Sequence, residues 1–506
     1  MTRDFRSKGL VLNIDINSEV IPFFSSVVQD KDITEESFYP FVDQYIDVSG
    51  KETQVKALAF DIFCQYSTVD SKVFSDYYAI WRRRVENGFP VNYDAQYKPQ
   101  SLISKAYGID PYEVWFRRTR ERGLEAWMSV RMNDSHCPDE DTVFLRSDFF
   151  YEARSKGWMI GERYGYRRNC FDYAVPEVRR KMLDYIEEQL ERYDVDALEL
   201  DFLREPTCFD YQNCPDKAEI MNDFVRKVKA LADAASLKRG HEIRLTARLM
   251  RDIEQNLVYG FDAKTWVEEG LVSHINVSPR WASCDSDMPI AAWKSRFPGV
   301  RISAGIETLV LRANKDAHAD ADVVNGLAAT YISQGADYIY LYNYFINPRK
   351  PESPYTRRTL DIIARCGMAD TVFSSPRRHI VMYQDIAPSG YKPYRPLPLK
   401  VEGAERSVAV NTGYIPSGKS GKLIIGLSEG CPCCVEVSFN GRPCGDFRPT
   451  RIYAGAQDEP PVPNGYVTEN VRLYECSVEL TDGRDVQEVL FRSRKACVDY
   501  IEIVIE

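Results

Sequence analysis

The feature that most constrains the fold is a regular alternation of short apolar segments with helical patterns. Eight apolar segments bounded by turn residues predict strands at 10–16, 55–63, 124–132, 196–202, 243–249, 272–278, 300–307 and 337–343. The clearest helical pattern, Pro176–Tyr193, has Pro in its first turn and apolar residues at four-residue spacing. Further helices are predicted over 111–122, 217–235, 322–334 and 356–366. Eight strand-helix units predict an α/β fold, a (β/α)8 TIM barrel.

After Gly367 the pattern changes to strands of period two separated by Gly, Pro and Asn turns, with no helix between them. This pattern predicts a smaller all-β sandwich domain after the barrel. We place the barrel domain at residues 1–375 and the accessory sandwich at 376–506. The stretch 383–398, rich in Pro and Tyr, is expected to be the linker and the first strand of the sandwich.

Composition argues against several functional classes. The formal charge of −10 and the pI near 5.4 disfavour a nucleic-acid partner. Apolar runs are far shorter than the ~20 residues of a membrane span. Residues 1–8 lack the apolar segment of a signal peptide, so localisation stays open between the cytoplasm and a secreted or periplasmic protein whose leader was removed. The oligomeric state also stays open.

No cofactor or metal is expected from the sequence. The five histidines form no closely spaced pair typical of a metal-dependent hydrolase. Cys431, Cys433 and Cys434 resemble a metal loop, but no second Cys or His pair follows at zinc-ribbon spacing. The 13 cysteines, an odd number spread over both domains, suit buried reduced thiols better than a disulfide framework.

Strand parity selects the residues that face the barrel interior. Alternate side chains of a strand point inward, and functional groups of such barrels cluster at the carboxyl ends of the strands. The polar face of each predicted strand supplies the candidates, namely Asn13, Asp15, Asp61, Arg131, Asn133, Glu199, Asp201, Arg248, Asn276, Ser278, Glu307, Tyr340 and Tyr342. Burying so many carboxylates is costly unless they are paired or functional, and two arginines cannot neutralise them all. A functional pocket is therefore expected.

Two facing carboxyl groups are what glycosidic cleavage requires, and Asp201 and Glu307 are the best-placed pair. Aromatic residues in the long loops, Trp281 among them, suit the apolar faces of a sugar ring. We expect the remaining inward groups, together with His136, to bind an oligo- or polysaccharide. A structural role is open for several of them: Glu199 as the partner of a barrel arginine, Asp15, Asp61 and Arg131 as salt bridges, and His136 as a packing residue.

Three segments resemble the family-10-like glycosylhydrolases. They are EAWMSVRMNDSH (125–136), the segment 171–206 that ends in DALELDFLREP, and GIE (305–307). The fourth strand of that family reads D-G-[IV]-x-[LF]-D, then an aromatic residue or Leu and Arg-x-Pro, and Ala197 here replaces the Gly. The resemblance implies a glycoside hydrolase barrel with Asp201 at the active position of strand four and an accessory β-domain behind it.

The roles of the two carboxyl groups are left open between two arrangements. Many retaining barrel glycosidases carry the acid/base after strand four and the nucleophile on strand seven, which implies Asp201 as acid/base and Glu307 as nucleophile. Other families place an Asp nucleophile on strand four. We prefer the first arrangement, with Glu205 as a further candidate acid. The functional alternative is a barrel that binds carbohydrate without cleaving it.

Overall fold

The computed structural model describes residues 5, 7–15, 23, 27, 32–48, 51–76, 86, 88, 104, 106–135, 146–280, 283–310, 317–346, 354–383, 387–455, 461–463 and 465–506. Eight parallel strands close into one barrel, which confirms the predicted fold class. In chain order they are β1 Leu10–Ile14, β2 Val55–Phe63, β3 Glu125–Arg131, β4 Ala197–Asp201, β5 Arg244–Met250, β6 His274–Ser278, β7 Arg301–Ile306 and β8 Tyr338–Leu341. Their carboxyl ends therefore share one end of the barrel.

Helices surround the barrel where the apolar spacing predicted them. The described helices are Tyr39–Asp43, Pro111–Glu121, Asp148–Ser155, Pro176–Arg192, Lys217–Arg239, Ile253–Tyr259, Ala263–Glu268, Ile290–Arg296, Ala321–Ser333, Pro354–Arg365 and Ala369–Ser374, with 3-10 turns at Glu35–Phe38, Glu162–Asn169 and Pro432–Cys434. A two-stranded hairpin joins Asp47–Val48 to Lys51–Glu52. Helix Pro176–Arg192 buries the predicted stripe of Val178, Met182, Ile186 and Leu190 against the barrel. No helix in the described ranges is long and apolar enough to cross a membrane.

The C-terminal strands form two antiparallel sheets that face each other. One sheet joins Arg377–Ile380, Leu399–Val401, Gly421–Glu429, Arg448–Pro449, Arg472–Val478 and Ala496–Ile505, and the other joins Arg406–Asn411, Glu436–Phe439, Arg442–Pro443 and Val486–Arg492. A separate pair joins Tyr453–Gly455 to Pro461–Pro463. Inward residues of both sheets, such as Val408, Phe491 and Ile503, share one apolar core. The all-β sandwich expected after the barrel is therefore present.

The first strand of the sandwich differs from the sequence-based expectation. Strand Arg377–Ile380 pairs with Ala496–Ile505, whereas the described part of 383–398 contains no strand. Pro388, Pro393, Pro396 and Pro398 explain this, because proline has no N–H to give to a sheet. The segment RRHI was missed because three of its four residues are polar.

Helix Ala321–Ser333 connects the barrel to the sandwich. It is buried along nearly its whole length, as expected of a helix that is apolar on all sides. Gly326 permits the close approach to strand Arg377–Ile380, since a Cβ there would lie 2.1 Å from the Arg378 carbonyl oxygen. Arg378 also forms ion pairs with Asp320, at 2.6 Å, and with Glu502 of the sandwich. The sandwich is thus packed onto the barrel through a specific contact surface.

Candidate active site

Asp201 is the last residue of β4 and is fully buried. Its Oδ1 accepts hydrogen bonds from the backbone N–H groups of Leu203 and Arg204, at 2.9 and 3.0 Å, where the chain turns away from the strand. Arg248 lies opposite Asp201 on the neighbouring strand β5 and donates from Nη1 to both carboxylate oxygens, at 3.1 and 3.2 Å. The backbone turn and the arginine together fix the orientation of this carboxyl group.

Glu307 directly follows β7 and is also fully buried. Its Oε2 accepts from the backbone N–H of Thr308, and its Oε1 accepts from Nδ2 of Asn343, each at 2.9 Å. Asn343, just after β8, has a φ of 64°, a left-handed conformation that Asn tolerates better than most residues. Burial raises the pKa of Glu307 to about 7, because two neutral donors compensate only part of the lost hydration. Glu307 can therefore carry a proton near neutral pH.

Several buried polar groups near this pair have unused hydrogen-bonding capacity. Nε and Nη2 of Arg248, the hydroxyls of Tyr342 and Ser278, and both side-chain polar atoms of Asn13 have no hydrogen-bond partner among the described residues. The Arg248 guanidinium lies 3.7 Å from the centre of the Tyr342 ring. Buried polar atoms without partners are rare in proteins, so their grouping on the inner face suits contacts with a polar ligand.

Gly305, two residues before Glu307, makes room for this arrangement. A Cβ at Gly305 would lie 1.9 Å from Oγ of Ser278 on the adjacent strand β6, so no other residue fits there without a shift. Gly305 therefore allows the side chain of Ser278 to lie in the barrel interior.

Arg131 is the centre of a buried cluster of carboxylates. It lies 2.7 Å from Asp15, 2.7 Å from Asp61 and 3.2 Å from Asp134. Burial raises the pKa of Asp61 to about 7, although the charge of Arg131 opposes the shift. Asp15 is the most exposed of the cluster, at 8%. Asp134, which our sequence analysis did not select, lies three residues beyond the end of β3, where strand parity gives no information.

Glu199 lies deeper in the barrel, where its partners among the described residues are other side chains. Its carboxylate accepts hydrogen bonds from Ser129 and Tyr340, each at 2.8 Å, and from Nδ2 of Asn276. Burial, followed by the nearby charge of Asp201, raises the pKa of Glu199 to about 7. The sequence left open a barrel arginine as its partner; its hydrogen bonds come from two hydroxyls and an amide, and the charge of Arg248 also acts on it. This layer forms the floor beneath Asp201.

Asn133 connects the loops at the barrel mouth. Its side chain accepts from the N–H of Phe171 at 2.8 Å and donates to the carbonyl oxygens of Phe171 and Thr207, at 3.0 and 3.1 Å. Gln65 donates to it at 3.2 Å. The side-chain amide of Asn133 thus binds loops that follow three different strands. These contacts fit a residue that positions the loops better than one that binds a sugar.

Glu205, the further candidate acid, is buried and is held by side chains of the neighbouring loops. Arg280 and Arg167 bind its two oxygens, at 2.7 and 3.0 Å, and Tyr166 lies 3.3 Å away. These contacts join the loops after β3, β4 and β6. His136 and Trp281 lie outside the described residues.

No family model matches the chain, and no curated protein matches it. Among the solved structures that it resembles are glycoside hydrolases and a glucanotransferase. The catalytic domain of GH30 xylanase C from Talaromyces cellulolyticus is 10% identical, with a TM-score of 0.37 and 96% of each chain covered. The glycoside hydrolase domain of PgaB (BpsB) from Bordetella bronchiseptica is 9% identical, with a TM-score of 0.39. The match covers 71% of this chain and 99% of that chain.

A cycloisomaltooligosaccharide glucanotransferase from Paenibacillus sp. is 8% identical, with a TM-score of 0.36 and 99% of this chain covered. The chain spans 58% of the length of that enzyme. Similarity at this level assigns no residue and no substrate. The resemblance to family-10-like glycosylhydrolases stays a prediction from the sequence.

The raised carboxyl pKa values predict how stability depends on pH. Asp61, Glu199 and Glu307 have folded-state pKa values of about 7, whereas unfolded Asp and Glu titrate near pH 4. Between these pH values the folded protein therefore binds more protons than the unfolded protein. The contribution of the three carboxyl groups to stability is complete below about pH 4 and is lost as the pH rises through about 7. We expect the urea concentration at the unfolding midpoint to decrease as the pH is raised from about 5 to about 8. A midpoint that rises over this interval would contradict the raised values.

Proposed function

We propose that the protein is a glycoside hydrolase that cleaves an oligo- or polysaccharide with Asp201 and Glu307. The observation that carries this proposal is the contrast between two carboxyl groups at the same end of the barrel. Asp201 is surrounded by donors that require an acceptor, namely two backbone N–H groups and Arg248. Burial raises the pKa of Glu307 to about 7, which suits a proton donor. Glycosidic cleavage needs one carboxyl group of each kind.

The contacts favour the arrangement with the nucleophile on strand four, opposite to our preference from the sequence. In this mechanism an oxygen of Asp201 attacks the anomeric carbon while Glu307 gives its proton to the leaving oxygen. Glu307, now ionised, then takes a proton from a water molecule, whose oxygen displaces Asp201 from the anomeric carbon. Two displacements at the same carbon retain the configuration.

Arg248, Tyr342 and Asn13 are proposed to bind the substrate. Each carries buried polar atoms without a partner among the described residues, and Arg248 also fixes Asp201. Asp15 and Asp61, held by Arg131, are proposed to border the pocket and to accept hydroxyl hydrogen bonds where their oxygens are accessible. For Glu199, Asn276, Tyr340 and Asn133 the contacts support a positioning role beneath and around the pocket.

The proposal is tested by product release from a panel of plant, algal and host glycans, together with aryl glycosides. We expect one class of glycan to be cleaved by the wild type and its cleavage to fall by several orders of magnitude in Asp201→Asn. Asp233→Asn is the matched control, because Asp233 is an exposed helix residue paired with Lys229. Binding of a glycan without any cleavage, measured by calorimetry, would favour the non-catalytic barrel instead.

A further inference from the structure

Three cysteines converge on the surface of the sandwich domain, away from the barrel interior. Cys431, Cys433 and Cys434 lie on and beside the 3-10 turn Pro432–Cys434, which connects strand Gly421–Glu429 to strand Glu436–Phe439. Sγ of Cys431 lies 2.7 Å from that of Cys433 and 3.0 Å from that of Cys434, and the latter two are 3.8 Å apart. The three sulfur atoms thus lie within 4.8 Å of one another.

The turn that carries the cysteines is fixed by contacts of its own. The N–H of Cys434 donates to the carbonyl oxygen of Cys431 at 2.9 Å, which closes the turn. Ser493 Oγ donates to the carbonyl oxygen of Cys434, also at 2.9 Å, and so ties the turn to the neighbouring sheet. Pro432 restricts the backbone between the first two cysteines. These contacts fix the backbone of the turn, which carries the three cysteines within four consecutive residues.

Among the described cysteines, two members of the cluster stand out by their exposure. Cys433 and Cys434 are exposed and Cys431 is half-buried, whereas Cys64, Cys170, Cys208, Cys284 and Cys366 are buried in the barrel domain. Thiolates are soft ligands, and three of them with no oxygen or nitrogen ligand select thiophilic ions.

We propose that Cys431, Cys433 and Cys434 form a three-thiolate site for a thiophilic d10 metal ion. A zinc ribbon is not expected from the sequence, because no second pair of Cys or His ligands follows the three cysteines. A site with three ligands does not need a second pair. Among the described residues no other Cys, His, Asp or Glu joins the three sulfur atoms. This ligand number suits Cu+ with three thiolates, and it suits Zn2+ only with a water molecule as fourth ligand. Binding releases the thiol protons, so affinity rises with pH.

The full chain, reduced and then freed of reductant under anaerobic conditions, is titrated with Cu+ in competition with a chromogenic chelator. We expect one equivalent to bind, with a thiolate-to-metal charge-transfer absorption, and Cys431→Ser, Cys433→Ser and Cys434→Ser each to weaken binding by at least about 100-fold. Cys497→Ser is the matched control, because this half-buried cysteine lies on the adjacent strand Ala496–Ile505 but outside the cluster. A parallel titration with Zn2+ decides between the two ions.

Retention of one-equivalent binding in all three cluster variants would overturn the proposal, as would binding too weak to compete with the chelator for either ion. The same cysteines could instead form a disulfide on oxidation. If the reduced protein binds no metal, and thiol counting shows two thiols lost on exposure to oxygen only in the intact cluster, the turn is a redox site and the metal proposal fails. Circular dichroism of each variant verifies that the sandwich remains folded.

Discussion

Glu307→Gln should lower the turnover of a natural glycan by about 100-fold to 10,000-fold while sparing aryl glycosides with good leaving groups. Gln keeps the shape of Glu307 and its contact with Asn343, but it has no acidic proton to give to the leaving oxygen. A phenolate with several electron-withdrawing groups leaves without protonation, so the first chemical step on such a substrate needs little help. Asp201→Asn should lose activity equally on both substrates, because it removes the proposed nucleophile.

The pH profile gives a second measurement on the same group. Because burial raises the pKa of Glu307 to about 7, its protonated form disappears as the pH rises above that value. The wild-type kcat/KM for a natural glycan should therefore fall on the alkaline side of about pH 7, and Glu307→Gln should lack this decline on activated substrates.

Controls separate the roles of the two carboxyl groups. Glu254→Gln, at an exposed position on helix Ile253–Tyr259, should behave as the wild type. Azide should restore turnover of activated substrates in Glu307→Ala by intercepting the glycosyl-enzyme, with retained configuration in the product. If instead Asp201→Asn spares activated substrates and Glu307→Gln does not, the preference drawn from the sequence is correct. Unchanged activity in both variants would exclude this pair.

The barrel could be predicted from the sequence because its determinants are local. The two-residue period of a strand decides which side chains point inward, and it predicted that Asp201 and Arg248 both do. The register then shows that they lie opposite each other on β4 and β5. The helical period likewise located helix Pro176–Arg192 within one residue of its observed end. Each of these inferences needs only the residues of one element.

The partners of the inward residues could not be predicted, because they depend on contacts between strands far apart in the sequence. Parity placed Glu199 inside the barrel but could not show that Tyr340, from 141 positions away, would bind it. Parity also treats Asn133 as equivalent to a strand residue, although it lies beyond β3 and binds loop carbonyls. Which groups line the pocket and which support it is therefore a property of the folded barrel.

The cluster around Arg131 gives the largest expected effect on stability. Arg131 is 2% exposed and is in contact with the carboxylates of Asp15, Asp61 and Asp134. Its removal leaves these buried groups without their cation, and the like charges of Asp15 and Asp61 then repel one another. Breaking a buried ion pair by removing one partner costs about 3–5 kcal/mol. Arg131→Met, which keeps an unbranched side chain, should lower the free energy of unfolding by about this amount.

Urea unfolding of the full chain, followed by tryptophan fluorescence, measures this loss. The deficit of Arg131→Met should shrink as the pH falls from about 8 to about 5, because the freed carboxyl groups can then bind protons and remain buried as neutral acids. The double variant Arg131→Met/Asp61→Asn should regain part of the loss at the higher pH, since one of the unpaired charges is absent. Arg226→Met removes a half-buried surface arginine that also binds two carboxylates, Glu219 and Glu269, and should have a much smaller effect. Equal losses in Arg131→Met and Arg226→Met, or a deficit independent of pH, would mean that the buried cluster does not depend on its central cation.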